Sequence, residues 1–395
     1  MNSTPNANRK HIVIYGKTNS GKSSIMNNLL GQEVSLVSDK EGTTTDPVSK
    51  GMELNPVGPV LFIDTAGLGD TTSLGEARVK KTIEYIKRTD IGIYIFDIED
   101  IDIKNFKEIE LEFKKYNIPY LLVINKIDKV DKEKLNYVKE EFPDSIYISN
   151  KEKVGLAELN NKLIELIEIE DDELPLIGDL LPYGSNVILV VPIDSEAPKG
   201  RLILPQVQCI RDALDHGIKC YVVRDTELKD ALEEMKHVDL VITDSQAFKK
   251  IDELVPKDIP LTSFSMLFAR QKGDITEFLE GVKRIRELNP GDKVLITESC
   301  SHNTSHEDIG KVKIPKMLEN YVGGKLDLHF KAGHDFPDDL DEYKLVIHCG
   351  GCMINRKAVI NRIKLCKDKN VAISNYGVVL SFLTNTLDRS KMIFK

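Results

Sequence analysis

Short apolar runs alternate with amphipathic stretches along most of this chain. His11–Tyr15, Val60–Ile63 and Tyr120–Ile124 are nearly unbroken apolar runs that stop abruptly at polar residues, which predicts buried strands. Lys104 to Lys115 and Leu156 to Glu168 repeat their apolar positions at helical spacing; the acids and lysines of the first of these read as a solvated helix face. The acidic, proline-bearing stretch from Glu170 to Pro175 reads as a linker. Beyond it the alternation resumes, with strands predicted at Val187–Val191, Ile218–Val223 and Leu240–Ile242 and helices over 206–214 and 228–235. That order implies a parallel sheet. A helix predicted over Ile275–Leu288 ends at Asn289-Pro290-Gly291 and opens a third region. There, strands at Val294–Thr297, Leu326–Phe330, Leu345–Ile347 and Val371–Ser374 accompany a helix over Arg356–Lys367.

Composition narrows the classes. A net charge of −9 and a pI near 5.6 give no reason to expect a wrapped nucleic acid. Six cysteines in 395 residues are no disulfide framework, so reduced thiols and a cytoplasmic setting are expected. The polar start, Met1 to Lys10, lacks the apolar core of a signal peptide, and no apolar stretch approaches the roughly 18 residues of a membrane span.

The first strand runs directly into Gly16-Lys17-Thr18-Asn19-Ser20-Gly21-Lys22-Ser23-Ser24, a phosphate-binding loop. Its glycines let backbone N–H groups face the phosphates, Lys22 supplies a charge, Ser23 offers a hydroxyl to magnesium, and the helix that follows presents its positive end. Thr44, in the polar loop Gly42–Asp46, can reach the same magnesium; Asp64 can hold a magnesium-bound water, and Gly67 can approach the terminal phosphate. Asn125-Lys126-Ile127-Asp128 follows the third strand, and the Asp128 carboxylate there can accept both donors of a guanine edge. The candidate GTP-binding residues are Gly16, Lys17, Asn19, Ser20, Gly21, Lys22, Ser23, Ser24, Asn125, Lys126, Asp128, Ser149 and Asn150. The expected architecture is α/β: a P-loop GTPase domain (1–174) followed by two smaller α/β domains with mainly parallel sheets (175–273 and 274–395).

A second chemistry sits in the last region. Val294–Thr297 leads through Glu298-Ser299 to Cys300-Ser301-His302, and Leu345–Ile347 leads to His348-Cys349-Gly350-Gly351-Cys352. Thiolates at the carboxyl ends of strands suit zinc or an iron–sulfur cluster. Three cysteines leave a fourth position to His302, His348, Glu298 or solvent. The plainer reading is a buried thiol pair beside a core histidine. Cys209, Cys220 and Cys366 read as ordinary core thiols, and the middle region shows no nucleophile or base arrangement.

Residues 10 to 170 resemble the TrmE/Era-like GTPases. The resemblance assigns Lys22 and Ser23 to the first motif, Thr44 to the second, Asp64 and Gly67 to the third, and Asn125 and Asp128 to the fourth. The fifth departs, with Ser149-Asn150-Lys151 in place of Ser-Ala-Lys. Leu68 stands where Ras-like proteins carry a water-orienting glutamine. Relatives with an asparagine in the loop, here Asn19, use potassium, which Thr43 would also meet. Glu76 matches the spacing of a water-positioning glutamate, and reads equally well as a helix-start acid. Over nearly its whole length the chain resembles the HydF family of FeFe-hydrogenase maturation GTPases. That resemblance implies potassium-stimulated GTP hydrolysis with Lys22, Thr44, Asp64, Gly67 and Glu76, and a 4Fe-4S cluster on Cys300, Cys349 and Cys352. It also implies a homodimer or higher oligomer, and a scaffold or carrier role beside the radical-SAM maturases HydE and HydG and the hydrogenase apoprotein. A ribosome-assembly or tRNA-modifying GTPase with a structural zinc site is the alternative, and neither nucleic acid nor membrane is an expected partner.

Overall fold

The computed structural model describes residues 5–31, 48–65, 82–169, 174–193, 202–299 and 308–394, in two compact units, 1–172 and 173–395. The first unit is built on a six-stranded sheet. Its strands are β1 (Lys10–Gly16), β2 (Val48–Leu54), β3 (Gly58–Asp64), β4 (Ile91–Asp97), β5 (Tyr120–Asn125) and β6 (Ile146–Tyr147), in the order β2-β3-β1-β4-β5-β6. Only the β2–β3 pair is antiparallel. Helices α1 (Lys22–Leu30), α2 (Ile103–Lys115), α3 (Lys132–Glu141) and α4 (Leu156–Ile169) cover it. Alternation along β1 feeds two cores, Ile12 and Ile14 into one and Val13 and Tyr15 into the other. Three strands of this sheet go beyond those expected, the shortest being the two-residue β6. β2 is an edge strand with a half-exposed alternating pattern, and in β4 the apolar run is interrupted by Gly92, where a Cβ would come within 2.6 Å of the Phe113 ring.

The second unit holds two four-stranded sheets, each parallel throughout. In the first, β7 (Asn186–Val190), β8 (Lys219–Val223), β9 (Leu240–Thr243) and β10 (Leu261–Ser263) lie in the order β10-β9-β7-β8. Helices α5 (Leu204–Asp215), α6 (Leu228–Glu234), α7 (Phe248–Leu254) and α8 (Phe264–Lys272) alternate with them. In the second, β11 (Lys293–Glu298), β12 (Asp327–Ala332), β13 (Leu345–His348) and β14 (Ala372–Asn375) lie in the order β12-β11-β13-β14. Its helices are α9 (Ile275–Gly281), α10 (Ile314–Val322), α11 (Arg356–Asp368), α12 (Tyr376–Leu383) and α13 (Leu387–Ser390). Both sheets place the strands of their own region in the sequence second, first, third, fourth, so each has a switch point between its first and third strands.

The two sheets share apolar packing. Met266 and Ala269 of α8 belong to the core of the last sheet, and Ile393 and Phe394 near the end of the chain pack against the core of the middle one. Arg389 donates to the carbonyls of Pro256, Lys257 and Ile259, and the Thr262 hydroxyl donates to Ser390 O at 2.8 Å. The helix expected over 275–288 is broken. Regular α-helix ends at Gly281 and tightens into a 3-10 segment, Val282–Glu287; Gly281 itself lies against β14, where a Cβ would collide with the Ile373 carbonyl.

Candidate functional sites

Parallel pairing brings the ends of β1, β3, β4 and β5 to one edge of the first sheet, with Ile14 opposite Asp64, Gly16 opposite Ile95, and Asp97 opposite Asn125. The loop from Gly16 into α1 needs glycine twice. At Gly16 (φ +144°) a Cβ would sit 2.5 Å from Ile95 O, and at Gly21 (φ +98°) it would collide with the Asn125 amide. Lys22 is buried and its Nζ donates to Gly16 O (3.0 Å) and Lys17 O (2.8 Å). Burial pushes its pKa down, and the nearby Asp64 carboxylate works the other way. Ser23 Oγ donates to Asp64 Oδ2. Asp64 Oδ1 is buried with no hydrogen-bond partner among the described residues, and burial raises the Asp64 pKa despite Ser23 and Lys22. A carboxylate with an orphaned oxygen beside a serine hydroxyl fits a hard cation such as magnesium.

The base-side residues form a continuous network with this loop. Asn125 Nδ2 donates to Ser20 O at 2.8 Å, and Lys126 Nζ donates to Asn19 O at 2.7 Å and pairs with Asp97. Ser149 Oγ donates to Asp128 Oδ1, which holds that carboxyl below its ordinary range. Asn150 accepts from Asn28 Nδ2 at 3.0 Å through its side-chain oxygen, and its own amide donates to Gly21 O at 3.4 Å. The nonstandard fifth segment thus meets both the fourth motif and the first helix. Asn19 (φ 65°) and Lys126 (φ 66°) are both left-handed, which orients backbone groups of the two loops. Thr43, Thr44, Gly67, Leu68 and Glu76 lie outside the described residues.

The second site lies at the switch point of the last sheet. β11 and β13 are neighbours, Thr297 pairs with His348, and Cys349 N–H donates to Thr297 O at 2.9 Å. Three groups converge on Cys349 Sγ: Ser299 N–H donates at 3.1 Å, the Ser299 hydroxyl lies at 3.0 Å, and Gly351 N–H donates at 3.5 Å. A neutral thiol rarely needs such a set, whereas an anionic sulfur does. Cys300 and His302 lie outside the described residues, and among the described ones no three metal-binding side chains form a group.

Residues 11–126 match the 50S ribosome-binding GTPase family. Residues 176–273 match the hydrogen maturase F dimerization domain, and residues 276–393 its tetramerization domain. The chain belongs to the hydrogen maturase F family. Its first unit is a GTPase domain, similar to the tRNA modification GTPase MnmE of Flavobacterium psychrophilum (34% identical over 161 residues, 40% of this chain and 35% of that one). MnmE of Cytophaga hutchinsonii is 39% identical over 160 residues, 40% of this chain and 34% of that protein. The chain therefore spans about a third of the length of these curated relatives. Among solved structures, Aquifex aeolicus Era bound to GDP·AlF4− is similar at 20% identity and a TM-score of 0.34, covering 54% of this chain and 93% of that one.

In the maturase tetramerization domain, the two described candidates for a fourth ligand are both engaged elsewhere. His348 is fully buried, and burial with the neighbouring Arg362 charge pushes its pKa down to about 3. Arg362 donates to His348 Nε2 at 2.9 Å, and His348 Nδ1 lies 2.6 Å from Cys349 O. The Glu298 carboxylate lies against Gly310 and pairs with Lys311 at 3.6 Å. Burial, then Cys349, raises the Cys352 pKa, while the Lys272 ammonium at the end of α8 opposes them. Cys209 and Cys366 are core residues, their thiols pushed up by burial. Among the described residues no helix is long and apolar enough to cross a membrane. In the sequence Ser299 stands only as a step toward Cys300, and nothing singles out Arg362 or Lys272; strand pairing and helix packing bring all three to this site.

Proposed function

We propose that this protein hydrolyses GTP in its first unit and carries a 4Fe-4S cluster in its last domain, as a cytoplasmic scaffold or carrier for assembly of the FeFe-hydrogenase active site. The observation that supports this best is the set of donors gathered on the Cys349 sulfur at the ends of two adjacent strands. Cys300, Cys349 and Cys352 would hold the cluster, which would supply an iron able to exchange its fourth ligand. His302, outside the described residues, or a solvent molecule suits that position better than His348, whose ring nitrogens both have other partners, or Glu298, which pairs with Lys311. In the first unit, Ser23 and Thr44 would hold magnesium, Asn19 and Thr43 potassium, and Lys22, Asp64, Gly67 and Glu76 would serve phosphoryl transfer. The family's dimerization and tetramerization domains support a homo-oligomer. Its partners would be HydE, HydG and the hydrogenase apoprotein.

Anaerobic purification with iron, sulfide and zinc analysis tests the reading, together with a hydrogenase maturation assay on Cys300→Ala, Cys349→Ala and Cys352→Ala. Each variant is expected to lose most of its iron and to fail to activate hydrogenase. Full activation by Cys349→Ala would overturn the cluster assignment, and stoichiometric zinc without iron would favour a GTPase with a structural zinc site instead.

A further inference from the structure

We infer that Arg362 is a positioning residue for the thiol site: it locks His348 as a latch on the Cys349 backbone and places a buried positive charge two hydrogen bonds from the Cys349 carbonyl. This rests on the cluster reading for its redox consequence, and on geometry alone for the latch.

Arg362 projects from α11 and is only 6% exposed. One guanidinium nitrogen donates to His348 Nε2 (2.9 Å), another donates to Gly333 O (2.8 Å), and the group lies 4.9 Å from the centre of the Phe336 ring. A guanidinium has only donors and keeps its proton, so His348 Nε2 must offer its lone pair. The ring proton is then on Nδ1, where it is donated to Cys349 O at 2.6 Å. Asn375 Nδ2 donates to the same carbonyl at 3.1 Å. The carbonyl and the sulfur of Cys349 are thus both fixed by donors, and the chain turns away through Gly351 at φ 68°. With one nitrogen accepting and the other donating, His348 keeps no lone pair for iron.

The charge argument is independent of the latch. Arg362 is buried and forms no ion pair among the described residues; it contacts His348, the Gly333 carbonyl and the Phe336 ring. A buried cation without a contacting carboxylate is costly unless an anion comes to it. An iron–sulfur cluster on three thiolates carries net negative charge and would be that anion. A nearby cation favours the reduced, more negative state, so its removal lowers the midpoint potential.

The experiment uses the full-length protein, reconstituted anaerobically, with Arg362→Gln, Arg362→Lys and His348→Gln beside the parent. Iron and sulfide content, midpoint potential, and the electron paramagnetic resonance spectrum with its nitrogen couplings are read. Arg362→Gln is expected to retain a cluster at a lower potential, Arg362→Lys to stay closer to the parent, and His348→Gln to leave any imidazole nitrogen coupling in place. A loaded Arg362→Gln protein with the parent's potential and spectrum would overturn the inference, as would a nitrogen coupling that disappears in His348→Gln. Should Arg362→Gln not fold, Arg362→Lys decides: an altered spectrum is expected, since the lysine keeps the charge but not the forked bonds, and an unaltered one overturns the latch. If the protein carries zinc and no iron, the cluster reading fails on its own. The latch is then read from zinc release to a chelator, expected about 10-fold faster or more in Arg362→Gln, and equal release rates overturn it.

Discussion

Replacing Gly21 with alanine should uncouple the phosphate loop from the base-binding loop. Gly21 has φ +98°, where a side chain costs about 1–2 kcal/mol. Its Cβ would collide with Asn125 Nδ2, the atom that donates to Ser20 O at 2.8 Å. Asn125 is 1% exposed, so moving its amide leaves a buried donor and a buried acceptor unpaired, a further cost of about 1–3 kcal/mol. The sum, about 2–5 kcal/mol, falls on the network that must hold both ends of a nucleotide. Gly31 is the internal control. It is also left-handed (φ +62°), yet no described atom lies within 4 Å of its added Cβ, so Gly31→Ala should cost only the backbone term. Fluorescent-GDP titration should show affinity falling by at least about 10-fold in Gly21→Ala, where 1.4 kcal/mol is a factor of 10, and little changed in Gly31→Ala. Equal affinities in the two variants would refute the coupling drawn here between Gly21 and Asn125.

Lys22→Ala should abolish GTP turnover while leaving iron content unchanged, since Lys22 and the thiols belong to different compact units; joint loss of both would contradict that separation. If Asn19 helps to hold potassium, turnover should be several-fold faster in potassium than in sodium, and Asn19→Ala should erase the difference; equal rates in the two salts would remove that role. Arg389→Ala breaks bonds to the carbonyls of Pro256, Lys257 and Ile259 and should destabilise unit 173–395 by about 2–3 kcal/mol in urea unfolding. An unchanged midpoint there would mean that the end of the chain does not brace the middle sheet.

Much of the first unit was legible in the chain because its chemistry is local. A strand, a glycine loop and a helix occupy consecutive residues, so the phosphate loop from Gly16 to Ser24 carries its own geometry, and Asn125 to Asp128 follows its strand directly. The parallel character of the later sheets also followed from the alternation of strands and helices. Local pattern was not enough for the rest. Helical periodicity ran unbroken past Gly281, whereas the structure tightens there into a 3-10 segment, with Gly281 packed against Ile373 of β14. The Cys-x-x-Cys pair was visible as a pair, but whether His348 served it as ligand or as support depended on Arg362, which lies 14 residues further on and meets it only because α11 packs across the sheet. Sequence by itself determined which residues could bind phosphate or metal, because donor chemistry belongs to the side chain. Tertiary structure decided which of them still have a free lone pair, because that depends on partners distant in the chain.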